Sequence, residues 1–248
     1  MNLSDYFDKI YFINLDEDTN KRIYFEKEIS KSTLAKKCKK YTAVIGKYLD
    51  IRLVPSEIIT ESAKQDVIQR KQKVYGISLT YGSLACALSH YFIYKECSGA
   101  NKPYLIFEDD IIIDNKFDSD LSQVINHITD KDYDIVYLGY NEIGGFAKTK
   151  INDVLSEPRG LITGLYGYIV SPSGAEKLLK SVFPLNKQID SSISDNSELF
   201  SLYCSTKNIV RVKTDFGSKT QMSASCANEY NHSGFINNRS DGWEKLFQ

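Results

Sequence analysis

Three consecutive carboxylates, Glu108, Asp109 and Asp110, interrupt the otherwise apolar run YLIFEDDIII at residues 104–113. The apolar flanks predict a buried strand that starts after Pro103. Ionised carboxylates cannot stay unpartnered inside a core, so the three acids must leave the sheet where the strand ends and meet positive charge there. Alternation along a strand puts Glu108 and Asp110 on one face and Asp109 on the other, unless the chain turns at that point. Oxygen ligands at this density suit a hard divalent cation such as Mn²⁺ or Mg²⁺. The plainer alternative is a solvated acidic turn that follows a core strand.

Other residues with chemical potential are spread along the chain. Cys86, His90, Tyr94 and Cys97 recur at helical spacing and share one face. A Cys-x-x-x-His pair can contribute to a zinc site, but no second pair completes a tetrahedron, so Ser89 and His90 are expected to pack beside the acidic turn and position it. Gly164 and Gly167 interleave with Tyr166 and Tyr168 in GLITGLYGYIV, residues 160–170, where a ligand could approach the backbone and stack on a ring; a glycine-rich strand packed on a helix explains the same pattern. His232 is a weak candidate for a further metal ligand, and Trp243 is expected to pin the tail to the body.

The elements that must hold these residues alternate. Strands are predicted at residues 9–15, 41–46, 104–113 and 134–139, in the glycine-rich segment 160–170 and at 208–214. Helices are predicted from the Asp18/Thr19 cap to about residue 30, on the surface within 55–73, at 82–96 behind a Thr80 cap, near 119–128, after Ser171-Pro172 and at 196–204. Residues 141–160 read as a loop. Strands alternating with helices predict an α/β fold with a mostly parallel central sheet covered by helices on both faces. Ligands of such sheets bind beyond the carboxyl ends of the strands. The Asn14-Leu15-Asp16 turn and the Glu108–Asp110 acids both fall at such ends, and one site built from the two is the economical arrangement.

Composition narrows the class of partner. The chain has 248 residues and a net charge of −1, so no global basic field points to nucleic acid. Its five cysteines include no CxxC pair, which excludes zinc-ribbon and thioredoxin readings and favours a reducing, cytoplasmic setting, with a peripheral position at a membrane left open. The first ten residues lack the apolar core of a secretion signal, and no segment reaches the length of a membrane span.

Four motifs in order resemble glycosyltransferase family 25, the lipooligosaccharide and collagen galactosyltransferase group. They are IYFINLDEDTNKR at 10–22, YGSLACALSHYFIYKE at 81–96, PYLIFEDDI at 103–111, and GLYGYIVSPSGAEKLL at 164–179 followed by FPLNKQID at 183–190. The resemblance runs from about residue 8 to about residue 225. It implies a GT-A-like nucleotide-sugar-binding fold in a single domain over 1–248, with a catalytic core at 8–225 and a tail at 226–248. It also implies a UDP-sugar donor, Mn²⁺ or Mg²⁺, and transfer of a hexose (galactose or glucose) to a saccharide or hydroxylysine-type acceptor with inversion. Carried over by position, Asp110, Asp109 and Glu108 would hold the metal. Asn14, Leu15, Arg22, Ser89, His90, Glu108, Asp109, Gly164 and Tyr166 would line the nucleotide-sugar site, Arg22 by gripping uracil or a phosphate. Asp190 would be the general base, with Asp195 and Glu198 as weaker candidates and a helix-capping role as its alternative. The chain departs from the family pattern at Ile45, where an Asp is usual before the glycine, and at Ala85, where a glycine is usual.

Two rival readings remain. Another metal-dependent nucleotide enzyme, such as a nucleotidyltransferase, would normally carry a glycine-rich phosphate loop near the first strand, and NLDEDTNKR has no glycine. A non-catalytic module that binds a glycan or nucleotide sugar would keep the fold and lose the metal or the base.

Overall fold

A computed structural model describes residues 2–71, 74, 76–142, 147–159 and 162–216; His232, Trp243 and the expected tail lie outside them. The elements run β1 (Ile10–Asn14), α1 (Thr19–Ile29), β2 (Cys38–Thr42), α2 (Glu61–Ile68), α3 (Tyr81–Cys97), β3 (Tyr104–Glu108), β4 (Ile111–Ile112), α4 (Phe117–Ile128) and β5 (Ile135–Glu142). They continue with β6 (Ala147–Lys150), β7 (Leu155–Arg159), β8 (Ile162–Val170), α5 (Pro172–Ser181), α6 (Ile189–Asp195), β9 (Leu202–Ser205) and β10 (Arg211–Val212). Eight strands form one sheet in the order β2-β1-β3-β8-β5-β9-β7-β6, and β10 pairs with β4 in a small second sheet.

The sheet is parallel through β2-β1-β3 and between β5 and β9, and β8 runs antiparallel between β3 and β5. Alternation along β3 shows both faces covered. Tyr104 and Ile106 join the core built with α3 and α5, whereas Leu105 and Phe107 join the core built with α1 and α4. This is the expected α/β class with the GT-A-like layering of helices on both faces of a central sheet.

Several boundaries differ from the sequence reading. Residues 147–150 and 155–159 form an antiparallel hairpin instead of a loop. The AKTK sequence of β6 suits the edge strand of a sheet, where one side stays wet. The second strand ends at Thr42, four residues short of the expected Gly46. The surface helix contracts to Glu61–Ile68. The helix expected at 196–204 is replaced by the earlier α6 and by β9, a four-residue strand whose Leu202 and Cys204 are buried. The expected last strand shrinks to the β10 pair.

The two helix starts that matter most for the site are held as the sequence predicts. Thr80 Oγ1 accepts from the Ser83 N–H at 3.0 Å, and Ser83 Oγ accepts from the Thr80 N–H at 2.8 Å, a reciprocal cap for α3. Ser171 Oγ accepts from the Gly174 N–H at 2.9 Å, with Pro172 in the first turn of α5.

Candidate functional site

The parallel pairing of β1 with β3 sets Ile13 opposite Glu108, so Asn14 and Asp109 leave the sheet side by side. Asn14 Nδ2 donates to Asp109 Oδ2 at 2.7 Å and to the Asp18 carbonyl at 3.2 Å, which ties the two strand ends and the start of α1 together. The chain turns at Asp109-Asp110. Strict alternation therefore fails there, and Asp110 ends on the α1 side with Asp109. The Lys21 ammonium of α1 lies 3.1 Å from Asp109 Oδ1 and 2.9 Å from Asp110 Oδ2. Lys213 closes the turn from outside by donating its backbone N–H to the Asp110 carbonyl at 2.7 Å.

Lys21 is the residue at these strand ends that the sequence reading missed. The buried positions of α1 are Lys21, Phe25, Glu28 and Ile29, an ordinary helical stripe with two charges set into it. Glu28 is neutralised locally, accepting from Lys31 Nζ at 2.7 Å and from the Ile113 N–H at 3.2 Å. Lys21 has the strand-end acids instead, and despite its burial their charge holds its pKa well above the ordinary lysine value. The available signal was its position four residues before Phe25. A lysine on the apolar side of a helix, facing an acidic strand end, is best read as a counter-ion. Arg22 is turned the other way: its guanidinium is 4.0 Å from Glu26 and is part-exposed.

Glu108 points to the opposite face, toward α3. Burial, followed by the charges of Asp110 and Asp109, pushes its carboxyl up to about 8 against the opposing pull of Lys21. The structure thus separates the three acids. Asp109 and Asp110 share a lysine, and Glu108 sits beside the helix carrying Ser89 and His90. Ser89 Oγ accepts from the Val44 N–H at 2.9 Å and donates to the Ala85 carbonyl at 2.9 Å, pinning the segment after β2 to α3. His90 is fully buried, its Nδ1 is 2.7 Å from the Tyr168 hydroxyl, and burial lowers it to about 3, so the ring is neutral.

On the β8 side, Gly164 has φ +85° and donates its N–H to Asp190 Oδ2 at 3.0 Å. A Cβ at Gly164 would lie 2.5 Å from the Tyr166 ring, so that ring closes on the backbone and leaves no room for a sugar to stack between them. Tyr166 is buried and donates to Asn141 Oδ1 at 3.2 Å. Asp190 stands in the first turn of α6, and its Oδ1 accepts from the Ser191 N–H at 2.7 Å. Its negative charge acts on Glu108 and on Cys86, which puts it on the α3 side of the same strand ends. Asp195 instead pairs with Lys187, and Glu198 lies in a separate short turn. Leu15 follows β1 half-buried, and its carbonyl accepts from the Asp18 N–H at 2.9 Å.

A hard divalent cation fits this place. Asp110 Oδ1 is buried without a hydrogen-bond partner, as is Asn14 Oδ1, and two aspartates face one buried lysine. Oxygen donors with spare lone pairs and excess negative charge are what such ions select. Asp109 is committed to Asn14 and Lys21, so Asp110 is the better donor of the two aspartates.

The family description "Glycosyltransferase family 25 (LPS biosynthesis protein)" matches residues 7–193. Procollagen galactosyltransferase 1-B of Xenopus laevis is 30% identical over 195 residues, covering 74% of this chain and 30% of the relative. Procollagen galactosyltransferase 1 of Danio rerio is 29% identical over 193 residues, with the same two coverages. The inactive glycosyltransferase 25 family member 3 of Homo sapiens is 29% identical over 133 residues, covering 50% of this chain and 22% of the relative. The chain thus spans about a third or less of the length of these relatives. No helix among the described residues is long and apolar enough to cross a membrane.

Proposed function

The chain belongs to glycosyltransferase family 25, and from that membership we propose that it moves a hexose from a UDP-sugar to a saccharide or hydroxylysine-type acceptor, with inversion at the anomeric carbon. The observation that carries the reading is the excess of carboxylate over cation at the adjoining carboxyl ends of β1 and β3. Asp110 would hold Mn²⁺ or Mg²⁺, and such an ion would supply charge stabilisation for a departing diphosphate. The chain's own residues do the rest. Asn14 and Lys21 fix the orientation of Asp109, and Lys21 keeps cationic charge beside the phosphates. Asp109 and the half-exposed Arg22 remain the candidates for contact with the nucleotide. Asp190, set by two backbone N–H groups, accepts the proton of the acceptor hydroxyl, as a general base must.

Galactose heads the donor candidates because relatives are named procollagen galactosyltransferases. The test is a panel of UDP-sugars with Mn²⁺, scoring UDP release with and without saccharide and hydroxylysyl-peptide acceptors. Acceptor-dependent UDP release supports the reading, and absence of release from every donor overturns it. A second reading has its own support. One relative is named inactive, and Ile45 replaces the acid usual before Gly46. A chain that binds UDP-sugar in the same panel without releasing UDP is a binding module.

A further inference from the structure

Cys86 and His90 lie one helical turn apart on α3, and Glu108 reaches them from the end of β3. One ligand atom from each, the Cys86 Sγ, an imidazole nitrogen of His90 and a Glu108 carboxylate oxygen, lies within 4.8 Å of the other two. The third ligand was not legible in the sequence, where no second pair completes a site with Cys86 and His90. It comes from another element, eighteen residues or more away in the chain.

The histidine is prepared for this. Tyr168 donates its hydroxyl hydrogen to Tyr94 Oη at 3.0 Å, so its oxygen accepts from His90, and Nδ1 carries the ring hydrogen. The other nitrogen, Nε2, therefore bears a lone pair. It is buried and has no hydrogen-bond partner. An unsatisfied buried acceptor is costly unless something occupies it. A ligating imidazole typically anchors its second nitrogen in this manner, which fixes both tautomer and ring plane. Cys86 and Glu108 are only half-buried, so the cluster keeps an approach.

We propose that Cys86, His90 and Glu108 form a three-ligand site for a borderline-soft divalent cation, of which Zn²⁺ is the type, separate from the hard-cation place at Asp110. The donor set is one sulfur, one nitrogen and one oxygen, which Zn²⁺ accepts and Mn²⁺ or Mg²⁺ does not favour. On binding, the Cys86 thiol and the Glu108 carboxyl each give a proton to solvent. Thiolate and carboxylate then balance the 2+ charge, and water takes the fourth position. Glu108, turned toward α3, belongs to this site, and Asp110 belongs to the neighbouring one. The inference stands on geometry and does not depend on the transferase reading.

Co²⁺ is the probe, because a cobalt–thiolate bond gives a charge-transfer absorption that carboxylate or imidazole ligation does not. Titration of metal-free wild-type protein is expected to saturate this band at one equivalent, and Zn²⁺ is expected to bleach it. Cys86→Ser and Cys86→Ala, each checked for a wild-type melting curve, should abolish the band, and Asp110→Asn should keep it. A wild type without the band, a band that survives in both Cys86 variants, or a band lost in Asp110→Asn overturns the proposal. The wild type alone gives an independent readout should the variants misfold. Zn²⁺ should slow alkylation of Cys86 by iodoacetamide at least tenfold, as mapped by mass spectrometry. Alkylation at the same rate with and without Zn²⁺ rejects the site.

Discussion

Two buried aspartate–lysine contacts sit at opposite edges of the central sheet, and they differ in charge balance. At the amino-terminal edge, Asp134 precedes β5 and is fully buried. Its Oδ2 accepts from Lys177 at 2.7 Å and from the Ser201 N–H at 2.9 Å, and its backbone is bonded to Ser171 and Ser201. One acid meets one lysine. At the carboxyl-terminal edge, Asp109 and Asp110 share Lys21, with Glu108 and Asp190 close enough to act electrostatically. Each place leaves an aspartate Oδ1 without a partner. An orphaned oxygen alone therefore does not separate a structural knot from a binding site. The surplus of negative charge does, and it lies at the edge where α/β sheets receive ligands.

The largest expected effect tests whether the charged edge performs chemistry. Asp190→Asn should cut transfer by about 10²–10⁴-fold, the range for loss of a general base. UDP binding should survive, because Asp190 stands on the α6 side and touches neither Asp109 nor Asp110. A rate within a few-fold of wild type would leave Asp190 as the residue that anchors Gly164 and the first turn of α6.

Next comes the lysine that sets the two edges apart. In metal-free protein, Lys21→Met should lose about 3–5 kcal/mol of stability, because two buried carboxylates are left uncompensated. Mn²⁺ should raise its melting temperature by more than it raises that of wild type, since the ion takes the vacated charge position. Equal Mn²⁺ shifts in the two proteins would mean that the cation does not bind where the ammonium sits.

The contrast between the edges was only half legible in the sequence. Apolar runs broken by turn residues fixed β1, β3 and β8, and the Thr80 and Ser171 caps fixed α3 and α5, because those signals are local. The acids were conspicuous because an apolar strand does not otherwise end in three carboxylates. Their partition between the two faces was not legible. It depends on a turn at Asp109-Asp110 that the run EDDIII does not announce, and on the β1/β3 register, which is set by the whole sheet. Lys21 escaped because a charged residue on an amphipathic helix is ordinarily assigned to water. The hairpin at residues 147–159 escaped because polar edge strands lack the apolar alternation that marks inner ones.

The raised Glu108 carboxyl offers a smaller effect with a definite sign. It titrates near 4.5 when unfolded and near 8 when folded. Between those values the unfolded chain has released a proton that the folded chain retains, so rising pH favours unfolding. His90 contributes in the opposite sense, but only between about 3 and 6.5, where the unfolded imidazole is charged and the buried one is neutral. In the window from 6.5 to 8, metal-free protein should therefore lose about 1–2 kcal/mol of stability as pH rises. Glu108→Gln should be flat across it. Denaturant melts in EDTA at several pH values check this, and an equal slope in the variant would assign the titration to another group.

Lys177→Met should produce the smallest change, and it completes the comparison. The Lys177 side chain is 45% exposed, whereas Lys21 is 10% exposed, so water already screens its charge. Asp134 keeps the Ser201 N–H after the lysine is removed, and its neighbours at the start of α5 stay packed against it. The expected loss is about 1 kcal/mol, near the upper end for a solvent-screened pair. Mn²⁺ should shift this variant no more than it shifts wild type, because a single acid at the amino edge offers one carboxylate and no further donors. Melts of Lys21→Met and Lys177→Met, each with and without Mn²⁺, form a four-way comparison. Rescue confined to Lys21→Met supports charge surplus as the feature that distinguishes the two edges. Rescue of Lys177→Met as well would show that any buried aspartate stripped of its lysine recruits the ion, and the case for a dedicated cation place at the ends of β1 and β3 would fail.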